Sequence, residues 1–264
     1  MQEAKTKKIE VLDKGYVELV DSWGSDERII ESARMSTGKG FQGWDKWNCD
    51  CGYSTESPEG YKHFCIDCGK EMEFKAGDEK LLRYLWTNKH TSPFEMCGLT
   101  VEMKLPIFVA REIIRHRTFS FNEFSARYAE LPDEVYIPSV DRLQTGKQGK
   151  KNKQGSEEGF SEHDAIILQD QIKLASASSM KSYKLLLQQG LSRELARVVV
   201  PVNVYTRWRM QGVLLNWLKF LALRIPENVQ METRLYAWAV SQFVQRSFPR
   251  TWTLFNESLG EKKI

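Results

Sequence analysis

The sequence predicts an α+β protein, a small antiparallel sheet packed with several helices and interrupted by a short cysteine-rich insert. Three observations carry this. Strand-like stretches lie at 8–21 and 99–105, while long helical periodicities dominate the second half, with no regular βαβ alternation. Four of the five cysteines, Cys49, Cys51, Cys65 and Cys68, crowd into one segment rich in Gly and Trp. The 264 residues, 41% hydrophobic and 28% charged, suffice to bury a sizeable core and exclude disordered and collagen-like classes.

In chain order, KIEVLDKGYVELVD (8–21) sets two β-favouring runs around Asp13-Lys14-Gly15, a hairpin pattern. Ser25 stands where it can N-cap a short helix running to about Ser36. Between Gly40 and Gly77 periodicity gives way to Gly, Trp, Cys and Pro, so an inserted module is expected over 43–75. DEKLLRYLWTNKH (78–90) has Leu81, Leu82, Leu85 and Trp86 at helical spacing, with acids at the end where the helix dipole favours them. Leu99, Val101, Met103 and Leu105 alternate with Thr100, Glu102 and Lys104, a strand with one buried face that places Cys97 at its start. Pro106 suits the first turn of a helix reaching about Arg117. TGKQGKKNKQGSEEG is polar and non-periodic, so a flexible loop is expected over 145–160, its four lysines solvated. A long helix at about 162–189 is ended by Gly190, followed by a short one from Ser192 to Val200 and two more around 210–224 and 228–247. No internal repeat is present. One domain over 1–264 carrying the insert is the expected organisation.

Charge narrows the partners. Lys plus Arg number 38 and Asp plus Glu 35, a net +3 too even for nucleic-acid or membrane binding by bulk charge. Any anion must be met by a local cluster. No apolar run approaches bilayer length and no apolar signal core follows the Lys-rich start, so a cytoplasmic protein with no membrane partner is expected.

That cluster is REIIRHRTFSFNEFSARY, residues 111–128. On a helix ending near Arg117, Arg111 and Arg115 share one face, as do Glu112 and His116, with Ile107, Ala110 and Ile114 opposite. Arg115, His116 and Arg117 then lead into Ser120, Asn122, Glu123, Ser125 and Arg127. Guanidinium forks bind phosphate oxygens in pairs, and carboxylate, hydroxyl and amide groups can read the edges of a polar heterocycle. A solvated helix face is the competing reading, but it leaves Phe119, Phe121, Phe124 and Tyr128, threaded between the polar residues, unexplained; they predict a buried, shaped segment.

RHRTFSFNEFSARY resembles the signature of the flavin-dependent thymidylate synthases: two arginines flanking a histidine, then seven residues, then serine, here Arg115, His116, Arg117 and Ser125. VLDKGYVELVD, SARMS, HTSPFE, LPIFVAREIIRHR, ELARVVVPVNVYTR and FLALR follow the family's pattern in the family's order, over most of the chain outside 40–77 and 145–160. The resemblance implies methylation of dUMP at C5, with methylenetetrahydrofolate as one-carbon donor and FAD, reduced by NADPH, as hydride source. It also implies that family's fold and a homotetramer with sites between subunits. By motif, Arg115, His116 and Arg117 are implied at the flavin, Asn122 and Glu123 at its junction with dUMP, and Glu112, Arg115, Ser125, Ala126 and Arg127 at dUMP. His90 and Ser92 of HTSPFE and Ser36 of SARMS match flavin-side positions. Arg197 and Arg224 match the remaining dUMP arginines. Arg224 is implied to promote ionisation of uracil N3, since a fixed guanidinium stabilises the anion and enriches C5 in electrons. No general base is spaced to activate Ser125, which is assigned to binding.

The chain departs from the pattern at Val213, Leu214 and Leu215, where the family commonly has polar or basic residues near the flavin. Lys219 and Asn228 stand where the family has Asn or His and His, with Gln230 and Glu232 kept. These changes bear on the grip on the adenine or phosphates of FAD, for which Lys219 offers a point charge.

Cys49-Asp50-Cys51-Gly52 and Cys65-Ile66-Asp67-Cys68-Gly69 form two knuckles, and four thiolates in two close pairs suit a closed, structural zinc-ribbon-like site. His63 is a possible substitute ligand. Trp44, Trp47, Tyr53, Tyr61 and Phe64, with Lys62 and Lys70, are expected to pack on the parent domain, making nucleic acid an unlikely partner. Cys97 reads as a small packed residue. Two other functions stay open at this point: C5 hydroxymethylation of a pyrimidine nucleotide by related chemistry, and a catalytically silent core whose insert binds nucleic acid or protein.

Overall fold

The structure, a computed structural model, describes residues 7–57, 62–149, 155–157 and 159–261. Its strands are β1 (Lys8–Val11), β2 (Gly15–Trp23), β3 (Lys46–Asn48), β4 (Ser54–Glu56), β5 (Glu73–Lys75), β6 (Gly98–Pro106), β7 (Ser120–Glu123), β8 (Lys147–Gln148), β9 (Ser156–Glu157) and β10 (Tyr205–Val213). Its α-helices are α1 (Asp26–Arg34), α2 (Glu79–Thr87), α3 (Ile107–Ile113), α4 (Val140–Gln144), α5 (Glu162–Gln188), α6 (Arg193–Ala196), α7 (Leu214–Arg224), α8 (Met231–Ser247) and α9 (Pro249–Glu261). The chain forms two compact units. One comprises Met1–Asp21, Leu99–Gly212 and Lys219–Phe243, the other Ser22–Gly98, Val213–Leu218 and Val244–Ile264. Among the described residues no helix is long and apolar enough to cross a membrane.

The first unit is organised by a sheet of order β1-β2-β6-β10-β7, and the fold is the expected α+β class. The β1/β2 hairpin pairs Val11 with Gly15 and Lys8 with Glu18. Gly15 is required by a close approach: a Cβ there would sit 2.0 Å from the Tyr236 hydroxyl and 2.6 Å from the Lys104 carbonyl oxygen, which that hydroxyl needs as its acceptor at 2.6 Å. On β6 the alternation holds, with Leu99, Val101, Met103 and Leu105 fully buried.

Three expectations for this unit are corrected. Residues 210–213, expected to begin a helix, belong to strand β10, and α7 starts only at Leu214. Trp208, Met210 and Gly212 face inward while Arg207, Arg209 and Gln211 face out, a period of two that β7 locks by pairing Trp208 with Glu123 and Gln211 with Ser120. The helix after Pro106 ends at Ile113 rather than Arg117, and its buried face is Val109, Ala110 and Ile113, leaving Ile114 exposed. Tyr128, expected in a buried segment, is 80% exposed. The polar 145–160 stretch pairs its described ends as β8 and β9; Lys150, Lys151 and Lys153 lie outside the described residues. Ser161 caps α5 by accepting from the Asp164 amide at 3.1 Å.

In the second unit Ser25 caps α1 as expected, accepting from Arg28 N at 3.3 Å. The cysteine insert is a three-stranded sheet of order β4-β3-β5 around Trp47 and Met72, with Tyr53 and Phe74 against them. Its two ends meet at a neck: Gly77 N donates to Asp45 Oδ1 at 2.6 Å and Asp78 N to the Gly43 carbonyl at 2.8 Å. The carboxylate of Asp78 pairs with Arg34 and accepts from Gln42 N at 2.7 Å. Helix α9, absent from the elements the sequence predicts, starts on the buried carboxylate of Asp26, which accepts from Arg250 N at 2.8 Å and from Thr251 N at 3.1 Å.

Candidate functional site

At the C-terminal ends of α3 and α7, the first unit gathers Glu112, His116 and Arg224. Arg224 donates through Nη1 to Glu112 Oε1 at 2.5 Å and through Nε to His116 Nε2 at 2.9 Å. The second carboxylate oxygen of Glu112 accepts from Thr233 Oγ1 at 2.6 Å, a fully buried hydroxyl on α8. Phe220 meets the His116 ring edge-on at 4.9 Å. Arg224 Nη2 also reaches the Glu112 carbonyl oxygen at 3.5 Å, so the guanidinium is held in one orientation by Glu112 and His116.

Because its Nε2 accepts a hydrogen bond, His116 is the neutral Nδ1–H form. Burial lowers its pKa below 6.5, and the Arg224 charge adds to this against an opposing pull from Glu112. The unfolded chain therefore binds this proton more readily, so the contribution to stability is complete above about pH 6.5 and declines as pH falls through the window below it. In an NMR titration the His116 ring is expected to show a midpoint below 6.5; one at or above that value would contradict the buried, Arg224-bound geometry.

Arg115 and Arg117 follow in an exposed turn, and neither guanidinium has a hydrogen-bond or ion-pair partner among the described residues. Asn122 and Glu123 stand exposed on β7, and Glu123 is steadied by Thr206, whose hydroxyl donates to Oε1 at 2.7 Å. Ser125 Oγ accepts from Arg127 N at 3.3 Å, with Ala126 half-buried in the same turn; among the described residues no side-chain base is hydrogen-bonded to Ser125. Arg127 and Arg197 converge on Glu194, Arg127 on its carboxylate at 3.1 Å and Arg197 Nε on its carbonyl oxygen at 3.3 Å.

The remaining positions are placed elsewhere. Lys219 is exposed on α7. Asn228 and Gln230 line a polar cavity of about 890 Å³ with Arg142, Glu227 and Arg234. Glu232 turns into the core and pairs with Arg142 at 2.8 Å and the Tyr136 hydroxyl at 3.1 Å. In the second unit Leu214 and Leu215 are core residues. There too, Ser36, His90 and Ser92 line one cavity of about 250 Å³ with Ser32, Pro93 and Met96.

Sequence reasoning missed Thr233, Thr206 and Glu194. None lies in the Arg115–Ser125 signature; Glu194 and Thr206 fall inside the family-like ELARVVVPVNVYTR segment, which could have drawn attention to them, whereas Thr233 is marked only by its bond to Glu112 across the fold. In the insert, the four cysteine Sγ atoms lie within 4.8 Å of one another. His63 is no ligand, since its ring packs on Trp47 at 4.7 Å. Trp44 and Trp47 are buried, so neither offers a face for stacking bases; Tyr61 lies outside the described residues.

Residues 18–250 match the family model described as thymidylate synthase complementing protein. The flavin-dependent thymidylate synthases of Ehrlichia ruminantium (strain Gardel) and Thermus thermophilus are each 37% identical to this chain. The first alignment covers 95% of this chain and 73% of that protein, the second 96% and 80%. Among solved structures, the UMP/dUMP methylase PolB from Streptomyces cacaoi, bound with 5-Br dUMP, is similar with a TM-score of 0.73 and 29% identity, covering 94% of this chain and 97% of that one. The ordered motifs, the α+β fold and these similarities together place the chain in the flavin-dependent thymidylate synthase family.

Proposed function

We propose that this protein converts dUMP to dTMP in the cytoplasm, as a homotetramer, with methylenetetrahydrofolate as one-carbon donor, FAD as redox cofactor and NADPH as reductant. One observation carries the reading: Arg224 is clamped between Glu112 and His116 at a position that matches the family's N3-facing arginine. A guanidinium already oriented stabilises charge on the uracil ring without reorganising when that charge develops. Arg127 and Arg197 meet the nucleotide phosphate. The Arg127–Glu194 ion pair has a carboxylate 60% exposed, and a pair of this kind is worth about 1 kcal/mol or less, so a phosphate displaces it readily; Arg197 holds only the Glu194 carbonyl oxygen. Glu123, steadied by Thr206, and the Ser125 turn orient the base.

The donor set also suits FAD. Arg115 and Arg117, free of protein partners among the described residues, offer guanidinium forks to phosphate oxygens, with Lys219 a further cation. Ser36, His90 and Ser92 provide hydroxyl and imidazole groups at one cavity. When bound, FAD supplies the hydride that completes the methyl group. Hydrophobic Leu214 and Leu215 take no part in holding it.

The test is the visible absorbance of the purified protein with and without dUMP, combined with tritium release from C5-labelled dUMP. A flavin spectrum perturbed by dUMP, and tritium released only with the folate donor and NADPH, are the expected results; absence of both overturns the reading. UMP is the substrate to run alongside, because the S. cacaoi relative is named a UMP/dUMP methylase. Product mass separates methyl from hydroxymethyl.

A further inference from the structure

We infer that Cys49, Cys51, Cys65 and Cys68 bind a single Zn²⁺ ion as four thiolates, and that this ion, rather than apolar burial, keeps the 43–77 module folded against the start of α9. The nearest sulfur pairs, Cys49 with Cys68 and Cys51 with Cys65, are 3.4 Å apart, and all four lie within 4.8 Å. A tetrahedral ion with Zn–S bonds of about 2.3 Å sets its sulfurs about 3.8 Å apart, inside this range. A disulfide needs about 2.05 Å, and each close pair takes one cysteine from each knuckle, so the arrangement converges on a point rather than on a bond.

The two knuckles share a backbone design that aims their sulfurs inward. Gly52 N donates to the Cys49 carbonyl at 2.9 Å and Gly69 N to the Cys65 carbonyl at 2.8 Å. Both glycines have positive φ, +97° and +70°, and nothing lies within 4 Å of a Cβ built there, so only backbone conformation demands glycine. Four thiolates select a soft, tetrahedral cation over calcium or magnesium, and a full sulfur shell leaves no position for water or substrate.

The apolar content of the module cannot hold it alone. Its strands are three residues each, and its core is Trp47 and Met72 with Tyr53 and Phe74 at the edge. Segments of this size fold by metal or disulfide. The metal has a mechanical consequence through Arg250. Its guanidinium stacks on Trp44 at 4.2 Å, reaches Glu56 of β4 at 2.6 Å, and pairs with Glu79 of α2. Glu56 lies five residues beyond Cys51, so closing the first knuckle on the ion sets the strand that presents it. With seven acids against four lysines over 43–77, and a metal site that itself carries two net negative charges, the module repels phosphate backbones.

Metal analysis of the full-length protein is expected to find about one zinc per chain, and zinc X-ray absorption four sulfurs at about 2.3 Å. The variant Cys65→Ser/Cys68→Ser should retain about tenfold less zinc after dialysis against a chelator, whereas Arg250→Ala should keep its zinc and melt at a lower temperature. If the cysteine variant does not fold, chelator-stripped wild-type protein answers instead: its melting temperature should drop and recover on adding Zn²⁺, and Co²⁺ should bind with sulfur-to-metal charge-transfer absorption. Iron in place of zinc, a nitrogen or oxygen ligand in the shell, or a folded protein that takes up neither Zn²⁺ nor Co²⁺ would overturn the inference.

Discussion

Arg224→Ala is expected to lower turnover at saturating dUMP by about 10²–10³-fold, the loss typical of removing one preorganised donor from a site where charge develops. The substitution also leaves Glu112 with Thr233 but without its cation. Breaking one side of a largely buried pair costs about 3 kcal/mol, so the variant should be less stable as well as slow. Two controls separate these effects. Arg224→Lys keeps the charge but cannot hold Glu112 and His116 together, and should recover stability more than rate. Arg224→Gln removes a charge that depresses the His116 pKa, so the ring should titrate higher. Tritium release, urea unfolding and the His116 NMR titration check the three. A wild-type rate in Arg224→Ala would show that the guanidinium faces no developing charge.

Asp26→Ala should cost about 3 kcal/mol, because it removes a buried, hydrogen-bonded carboxylate. Asp26 is 2% exposed, and its carboxylate accepts the amides of Arg250 and Thr251 and the Thr251 hydroxyl, the last at 2.6 Å. Hydrogen bonds to a charged group are worth about 1.5–3 kcal/mol each and do not add fully. Burial nonetheless raises the Asp26 pKa, more than its hydrogen bonds from Thr251 and Arg250 lower it. The carboxylate is thus kept in an unfavourable medium for the sake of the α9 amides. In a chain of this size the loss corresponds to a fall of about 6–12 °C in melting temperature. Asp26→Asn, which keeps one acceptor oxygen, should fall between; a shift under about 2 °C in Asp26→Ala would refute the capping role.

Much of this protein is legible because many of its signals are local. The hairpin around Asp13-Lys14-Gly15, the Ser25 cap, the alternation of β6 and the long helix ended by Gly190 each depend on neighbours within a few residues. The same is true of the two cysteine knuckles and of the Arg115 to Ser125 signature, a contiguous string whose likeness to the family is read without any tertiary partner. In the sequence the helical pattern of Leu214–Arg224 extends back into 210–213, and the alternation of Trp208 and Met210 with arginines acquires its meaning as strand β10 only when β7 pairs with it. SFNE is too short to signal a strand by itself.

The sequence by itself determined the fold class, the family signature and the pairing of four cysteines into two knuckles, since these rest on backbone preference and residue chemistry at short range. Only the tertiary structure decided that Glu112, itself held by Thr233, and His116 close around Arg224, that Glu232 serves the core, that Tyr128 faces solvent, and that α9 is capped by Asp26. The physical reason is common to all four. What a polar or aromatic side chain does is set by which partner offsets its desolvation, and residues far apart in the chain become partners only once the core has packed.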